Sequence, residues 1–176
     1  DVPAGAIVVG NPARIVGYTN MIDNDDAIES ESTSENKQER IELGVGKCFV
    51  QNMPAFSDIR GDLVVGEVEK QIPFTPQRWF MVHNVPSKEV RGEHAHRECS
   101  QFLVCVNGSV SCVVDDGKNK TEVLLDSPSK GLLISPKVWG IQYKYSKNSV
   151  LCVFASHAYD SDDYIRNYDE FIKEFS

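Results

Sequence analysis

Apolar residues change their spacing twice along the chain. From residue 41 onward they fall into short β-rich runs separated by turn residues, the pattern of a strand-dominated domain. The runs predict strands at 47–52, 62–69, 77–84, 93–97, 101–106, 109–115, 120–125, 131–135, 139–145 and 149–156. Asn107-Gly108, Asp115-Asp-Gly-Lys-Asn119 and Asp126-Ser-Pro-Ser-Lys-Gly131 are the clearest turns. The first of these reads as a tight hairpin. Many short strands at regular spacing indicate a sandwich or barrel. After Asp160-Ser-Asp-Asp163, Tyr164, Tyr168, Phe171, Ile172 and Phe175 recur at helical spacing. They predict a helix over 161–175, packed on the barrel exterior.

Before residue 41 the chain is of another kind. Asp1-Val-Pro-Ala-Gly-Ala-Ile-Val-Val-Gly-Asn-Pro-Ala-Arg-Ile-Val-Gly17 mixes small residues, prolines and aliphatics at short intervals, as stacked β-solenoid turns do. Residues 19–40 hold no aromatic and are mostly polar or acidic, a composition that cannot offset the entropy of ordering by core burial. The expected organisation is a terminal coil at 1–18, an acidic linker at 19–40 and a β domain at 41–176. The chain starts with Asp, so it is expected to be a piece of something longer.

Composition narrows the function. At 176 residues and 41% hydrophobic content, one main domain with a real core is expected. No apolar run approaches the roughly 18 residues of a membrane helix. The five cysteines lack Cys-x-x-Cys spacing, and Cys105, Cys112 and Cys152 lie in apolar runs. This is the usage of a cytoplasmic protein without disulfides. The net charge of −8 argues against broad nucleic-acid binding. Residues 1–40 carry three basic and eight acidic groups, net −5, which leaves −3 for the rest. A phosphate-bearing substrate then needs only a local cluster of arginines.

The candidate chemistry lies in Arg91-Gly-Glu-His-Ala-His-Arg-Glu-Cys-Ser-Gln101. In a strand, His94 and His96 point to the same face. Barrels of the cupin type carry His-x-His, then an acid, then a glycine, and later another histidine after a proline. Here the acid's place is held by Gln101, and Pro136-Lys-Val-Trp-Gly-Ile-Gln-Tyr143 contains no histidine. A neutral amide is a poor ligand for a divalent transition metal, so a barrel without a metal or other cofactor is expected. Two imidazoles can instead move protons, provided the substrate proton is acidic, as beside a carbonyl. Arg60, Arg78, Arg91 and Arg97 are available to hold an anionic handle.

Further residues sharpen this. Asp58-Ile-Arg-Gly-Asp-Leu-Val64, Ile72-Pro-Phe74, Arg78, Arg91-Gly-Glu-His-Ala-His96, Gln101-Phe-Leu-Val-Cys-Val-Asn-Gly-Ser109, Pro136-Lys-Val-Trp139 and Asp163-Tyr-Ile-Arg-Asn-Tyr-Asp169 together resemble the sugar-nucleotide 3,4-ketoisomerases. These are metal-free cupins acting on dTDP-4-keto-6-deoxyglucose. The resemblance implies a jelly-roll homodimer, a dTDP-linked keto sugar as ligand, and His94 and His96 as the catalytic pair. It implies Arg60, Arg78, Arg91, Gln101 and Trp139 as pocket residues. We assign His94 to the carbon-bound proton and His96 to the oxygen side, with Tyr143 or His157 as alternative bases. Family members often carry histidine or another polar residue after the tryptophan, where this chain has Gly140, which leaves the product's C4 configuration open.

The Gly10-Asn-Pro-Ala-Arg14 stretch closely resembles the last coil of left-handed β-helix acyltransferases. An acetyl-CoA-dependent domain fused upstream would fit a route to a 3-acetamido-3,6-dideoxyhexose. The competing readings are a 3,5-epimerase of similar fold and a non-catalytic sugar-nucleotide-binding cupin. A metal-dependent dioxygenase fits Gln101 and the missing histidine least.

Overall fold

The computed structural model describes residues 2–19, 21, 40–86 and 88–175. Most of the expected linker therefore lies outside the described residues. The chain forms β1 (Ala6–Val9), β2 (Arg14–Tyr18), β3 (Arg40–Glu42), β4 (Phe49–Asn52), β5 (Ala55–Asp58), β6 (Gly61–Val64), β7 (Arg78–His83) and β8 (Arg91–His96). These are followed by β9 (Gln101–Asn107), β10 (Val110–Asp115), β11 (Lys120–Leu125), β12 (Lys130–Ile134), β13 (Trp139–Tyr143), β14 (Val150–Ala155), β15 (Tyr164–Ile165) and, alone of its kind among the described residues, the helix α1 (Tyr168–Phe175).

A five-stranded sheet, β11-β10-β13-β8-β15, faces a six-stranded one, β3-β4-β12-β9-β14-β7, with antiparallel pairing throughout. Strand alternation sorts the side chains into three apolar layers. Leu103 and Cys105, Val110 and Cys112, Leu132, Leu151 and Val153 fill the space between the sheets. Tyr18, Ala95, Trp139, Ile141, Tyr143, Ile165 and Phe171 cover the outer face of the five-stranded sheet, under α1. Phe49, Phe102, Val104 and Leu133 lie outside the six-stranded sheet. This is the expected jelly-roll barrel with a helix outside it.

Three expectations change. Asn107-Gly108 is a crossover and not a hairpin, because β9 and β10 belong to different sheets. Gly108 has the positive φ of 73° that the sharp turn requires. The strand expected at 62–69 is only β6, paired with β5 in a separate hairpin whose Phe56 and Leu63 are exposed. The helix expected over 161–175 begins only at Tyr168. An Asx turn from Asp160 Oδ1 to the Asp162 amide (2.9 Å) precedes it, and β15 pairs in extended form with His96 and Ala95. Asn167 then caps α1 by accepting from the Glu170 amide at 3.0 Å.

The segment read as a solenoid coil is an antiparallel β1–β2 hairpin here, turned at a cis Asn11-Pro12 bond. It is not left without a core. Tyr18 is buried, with its ring edge-on to Tyr143 at 5.4 Å.

Candidate active site

The histidine strand β8 is shaped by a bulge. Gly140 and Ile141 on β13 face His94 and Gly92, which leaves Glu93 unpaired. Gly92 and Glu93 take φ values of 84° and 53° in succession. The left-handed region is unfavourable for a glutamate, and the bulge re-aims the strand just before the histidines. It does chemical work as well. The Gly92 carbonyl, turned back by the bulge, accepts a hydrogen bond from His94 Nδ1–H at 2.9 Å. This fixes the tautomer and leaves the His94 Nε2 lone pair without a partner among the described residues. A Cβ on Gly92 would sit 2.7 Å from the Gly140 carbonyl oxygen and 2.9 Å from Gln142 Nε2, so only glycine fits there.

His96 is held at both ends. Its Nδ1–H donates to Asp163 Oδ2 at 2.6 Å, and its Nε2 accepts from Gln101 Nε2 at 3.0 Å. Asp163 is itself fixed, with Oδ1 accepting from the Glu98 amide at 2.7 Å. Burial pushes the His94 pKa below the ordinary histidine value, with the positive charge of Arg166 acting the same way. Burial and the neighbouring His94 push His96 down to about 4. Both rings are therefore neutral at pH 7, as a base must be. Burial opposes ionisation of Asp163, yet its hydrogen bonds hold the carboxyl below the usual range.

Tyr164, opposite His96 on β15, lays its ring against both imidazoles, at 5.0 Å from His94 and 4.3 Å from His96. Arg78 reaches across from the other sheet, and its Nη2 donates to Tyr164 Oη at 3.4 Å. Its buried Nε has no partner, and no carboxylate pairs with it among the described residues. A half-buried cation without a counter-ion is a receptor for an anion. Arg166 stacks over the Tyr164 ring at 4.2 Å. The cluster thus presents a free base, a fixed imidazole, a phenol and guanidinium groups.

Of the residues expected in the site, His94, His96, Gln101 and Arg78 converge. Arg91 lies opposite Gln142 on the same inner face. Trp139 does not join them. It shares a face with Ile141 and Tyr143, and packs outward against Tyr168 at 5.2 Å and Phe171 at 5.6 Å. Gly140 is the residue of that pair on the histidine side. Arg60 also lies elsewhere, at the tip of the β5–β6 hairpin, 85% exposed and paired with Asp58. Arg97 is ion-paired with Glu174 of α1. The two alternative bases are misplaced. Tyr143 faces outward and donates to Glu122 at 2.7 Å. His157 is exposed at a rim hollow of about 220 Å³ shared with Arg97 and Asp162.

Asp163, Tyr164 and Arg166 were missed as site residues because their spacing looks helical. A clue was the Asp-Tyr-Ile-Arg run itself, whose charges sit badly on a core-facing helix. His96, Cys99 and Asp163 also bring potential ligand atoms within 4.8 Å of one another. His96 and Asp163 are already committed to each other there, and a cation would have to displace the proton between them.

Comparison with known proteins gives the setting for this geometry. The family profile described as FdtA: WxcM-like, C-terminal, matches residues 46–176. A TDP-4-oxo-6-deoxy-α-D-glucose-3,4-oxoisomerase from Aneurinibacillus thermoaerophilus is 44% identical over 124 residues, 70% of this chain and 89% of that protein. The crystal structure of a 3,4-ketoisomerase from Helicobacter canadensis superimposes with a TM-score of 0.70 at 35% identity, covering 72% of this chain and 96% of that one. QdtA, a sugar 3,4-ketoisomerase from Thermoanaerobacterium thermosaccharolyticum in complex with TDP, does so with a TM-score of 0.70 at 35% identity, covering 73% and 93%.

Proposed function

Because the chain belongs to the family described as FdtA: WxcM-like, C-terminal, we propose that it is a sugar-nucleotide 3,4-ketoisomerase. It converts dTDP-4-keto-6-deoxyglucose to a dTDP-3-keto-6-deoxyhexose. The observation that carries this reading is His94, neutral, half-buried and oriented by Gly92, with Nε2 unpartnered among the described residues and an uncompensated arginine on the far side of Tyr164. Nε2 removes the proton from C3, made acidic by the C4 carbonyl, and returns it to C4 from the same side. Arg78, with Arg91 and Arg166 nearer the mouth, receives the diphosphate. The reaction is internally balanced, C3 being oxidised as C4 is reduced, and turnover needs no metal or other cofactor.

The enzyme works as a homodimer. The outer face of the six-stranded sheet leaves Trp79 (62%) and Met81 (50%) exposed on β7, an open edge strand. The β5–β6 tip exposes Ile59 fully beside Arg60. Large apolar side chains of this kind mark an association surface, and a partner is the means by which Arg60 reaches a cleft. The parent chain is bifunctional, with an acetyl-CoA-dependent acyltransferase domain upstream. It acts in the cytoplasm on the route to a 3-acetamido-3,6-dideoxyhexose. The five cysteines, all unpaired and buried, agree with a reducing compartment.

NMR of the product tests the reading. Incubation with dTDP-4-keto-6-deoxyglucose is expected to move the carbonyl from C4 to C3. A 3,5-epimerase would leave it at C4, and a binding module would return unchanged substrate without deuterium from solvent.

A further inference from the structure

Moving the carbonyl requires two proton traffics, one on carbon and one on oxygen. His94 is free to serve the carbons. The residue expected to serve the oxygens, His96, has neither nitrogen available, since Nδ1–H is given to Asp163 at 2.6 Å and Nε2 takes the Gln101 amide at 3.0 Å. A group with an uncommitted proton must therefore do the work.

The geometry points to Tyr164 as the catalytic residue that carries the oxygen-side proton. Its ring lies 5.0 Å from His94 and 4.3 Å from His96, so it belongs to the same cluster of side chains as the base. That hydroxyl accepts from Arg78 Nη2 at 3.4 Å and has no acceptor for its own proton among the described residues. Two cations lie beside it, Arg78 at the oxygen and Arg166 over the ring at 4.2 Å. Asp163, the neighbouring residue on the chain, anchors His96 and so holds Tyr164 in register with the histidine strand.

The step balances as follows. His94 Nε2 takes the C3 proton, and the electron pair forms the C3=C4 bond while the C4 carbonyl becomes an oxyanion. Tyr164 protonates that oxygen, giving the enediol. The phenolate then takes the proton from the C3 hydroxyl, whose electrons form the C3 carbonyl. The C3=C4 pair collects the proton from His94 at C4. Tyr164 ends with one proton, as it began.

This inference rests on the ketoisomerase reading, and the test separates the two. Wild type and Tyr164→Phe are incubated with dTDP-4-keto-6-deoxyglucose in D₂O, following product formation and deuterium at C3 of recovered substrate, with dTDP affinity measured on the same samples. Tyr164→Phe is expected to lose about 10²–10⁴-fold in kcat, with dTDP affinity unchanged. Because His94 still removes the C3 proton, the ratio of C3 exchange to isomerisation rises by the factor that turnover falls. Wild-type turnover in the variant would overturn the relay, as would exchange and turnover falling together or a parallel loss of dTDP affinity. No 3-keto product from the wild type would sink the ketoisomerase reading itself.

Discussion

The two faces of one sheet are built from the same strands and have opposite characters. On β8, β13 and β15 the inward residues are His94, His96, Gly140, Gln142 and Tyr164, while the outward ones are Ala95, Trp139, Ile141, Tyr143 and Ile165. Outside, aromatic rings interlock under α1 and the polar tips are mostly paired. Tyr168 donates to Asp115 at 2.7 Å, beside the buried Lys120–Asp115 ion pair at 2.8 Å, and Tyr143 donates to Glu122. Inside, His94 Nε2, Arg78 Nε and the Tyr164 proton are left without partners. Unsatisfied polar groups cost stability wherever they are buried. Tyr18 Oη on the outer face is also buried without a partner, but among the described residues only the inner face gathers such groups around the imidazole pair, where a ligand can supply the missing partners. A change on either face should therefore move one property and spare the other.

The largest expected effect is on the inner face. His94→Asn keeps the shape but removes the base, and should lower kcat by about 10²–10⁴-fold. Binding of dTDP and the urea midpoint should stay at wild-type values, as titration calorimetry and equilibrium unfolding would reveal. A variant equally slow but also unfolded would erase the distinction between the faces.

The converse change is Phe171→Ala on the outer face. Phe171 is fully buried against Trp139 and Tyr168. Truncating a buried phenylalanine typically costs about 3–5 kcal/mol. Urea unfolding should show that loss, while kcat per folded molecule holds.

Acid sharpens the comparison because the buried His96 imidazole resists protonation. The His96 pKa is about 4 in the folded chain, against roughly 6.5 when unfolded. The unfolded state binds the proton first, so the stabilisation is complete above pH 6.5 and is lost as pH falls toward 4. The loss is about 3 kcal/mol. Unfolding free energies at pH 7, 5 and 4 should follow this slope, and His96→Gln should flatten it. An equally steep slope in that variant would mean that other groups set the acid limit.

The smallest effect tests a residue that resemblance placed in the pocket. Trp139→Phe, at the α1 interface, should cost about 1 kcal/mol of stability and leave KM and the product's configuration unaltered. A changed KM would return Trp139 to the site.

The barrel strands were legible because each buries an apolar run, and the histidine pair because side chains alternate along a strand. The same alternation already separated Trp139 from Gln142. Trp139 shares its parity with Ile141 and Tyr143, which sets it against the pocket role that the resemblance implies. Other features had no local signal. Asp163 meets His96 from 67 positions away, through strand pairing alone. Tyr164, Tyr168 and Phe171 keep helical intervals although the first lies on a strand, since tertiary pairing overrides spacing in a two-residue element. The positive φ of Glu93 belongs to the fold and not to glutamate's preferences, so the bulge that orients His94 was invisible.

The claim most exposed to experiment is that the two histidines have different jobs, His94 being the free base and His96 a fixed neighbour. Deuterium entry at C3 of dTDP-4-keto-6-deoxyglucose measures it directly, comparing wild type, His94→Asn and His96→Asn in D₂O. Exchange is expected in the wild type, none above background in His94→Asn, and exchange that persists at a reduced rate in His96→Asn. Exchange surviving in His94→Asn and vanishing in His96→Asn would contradict it.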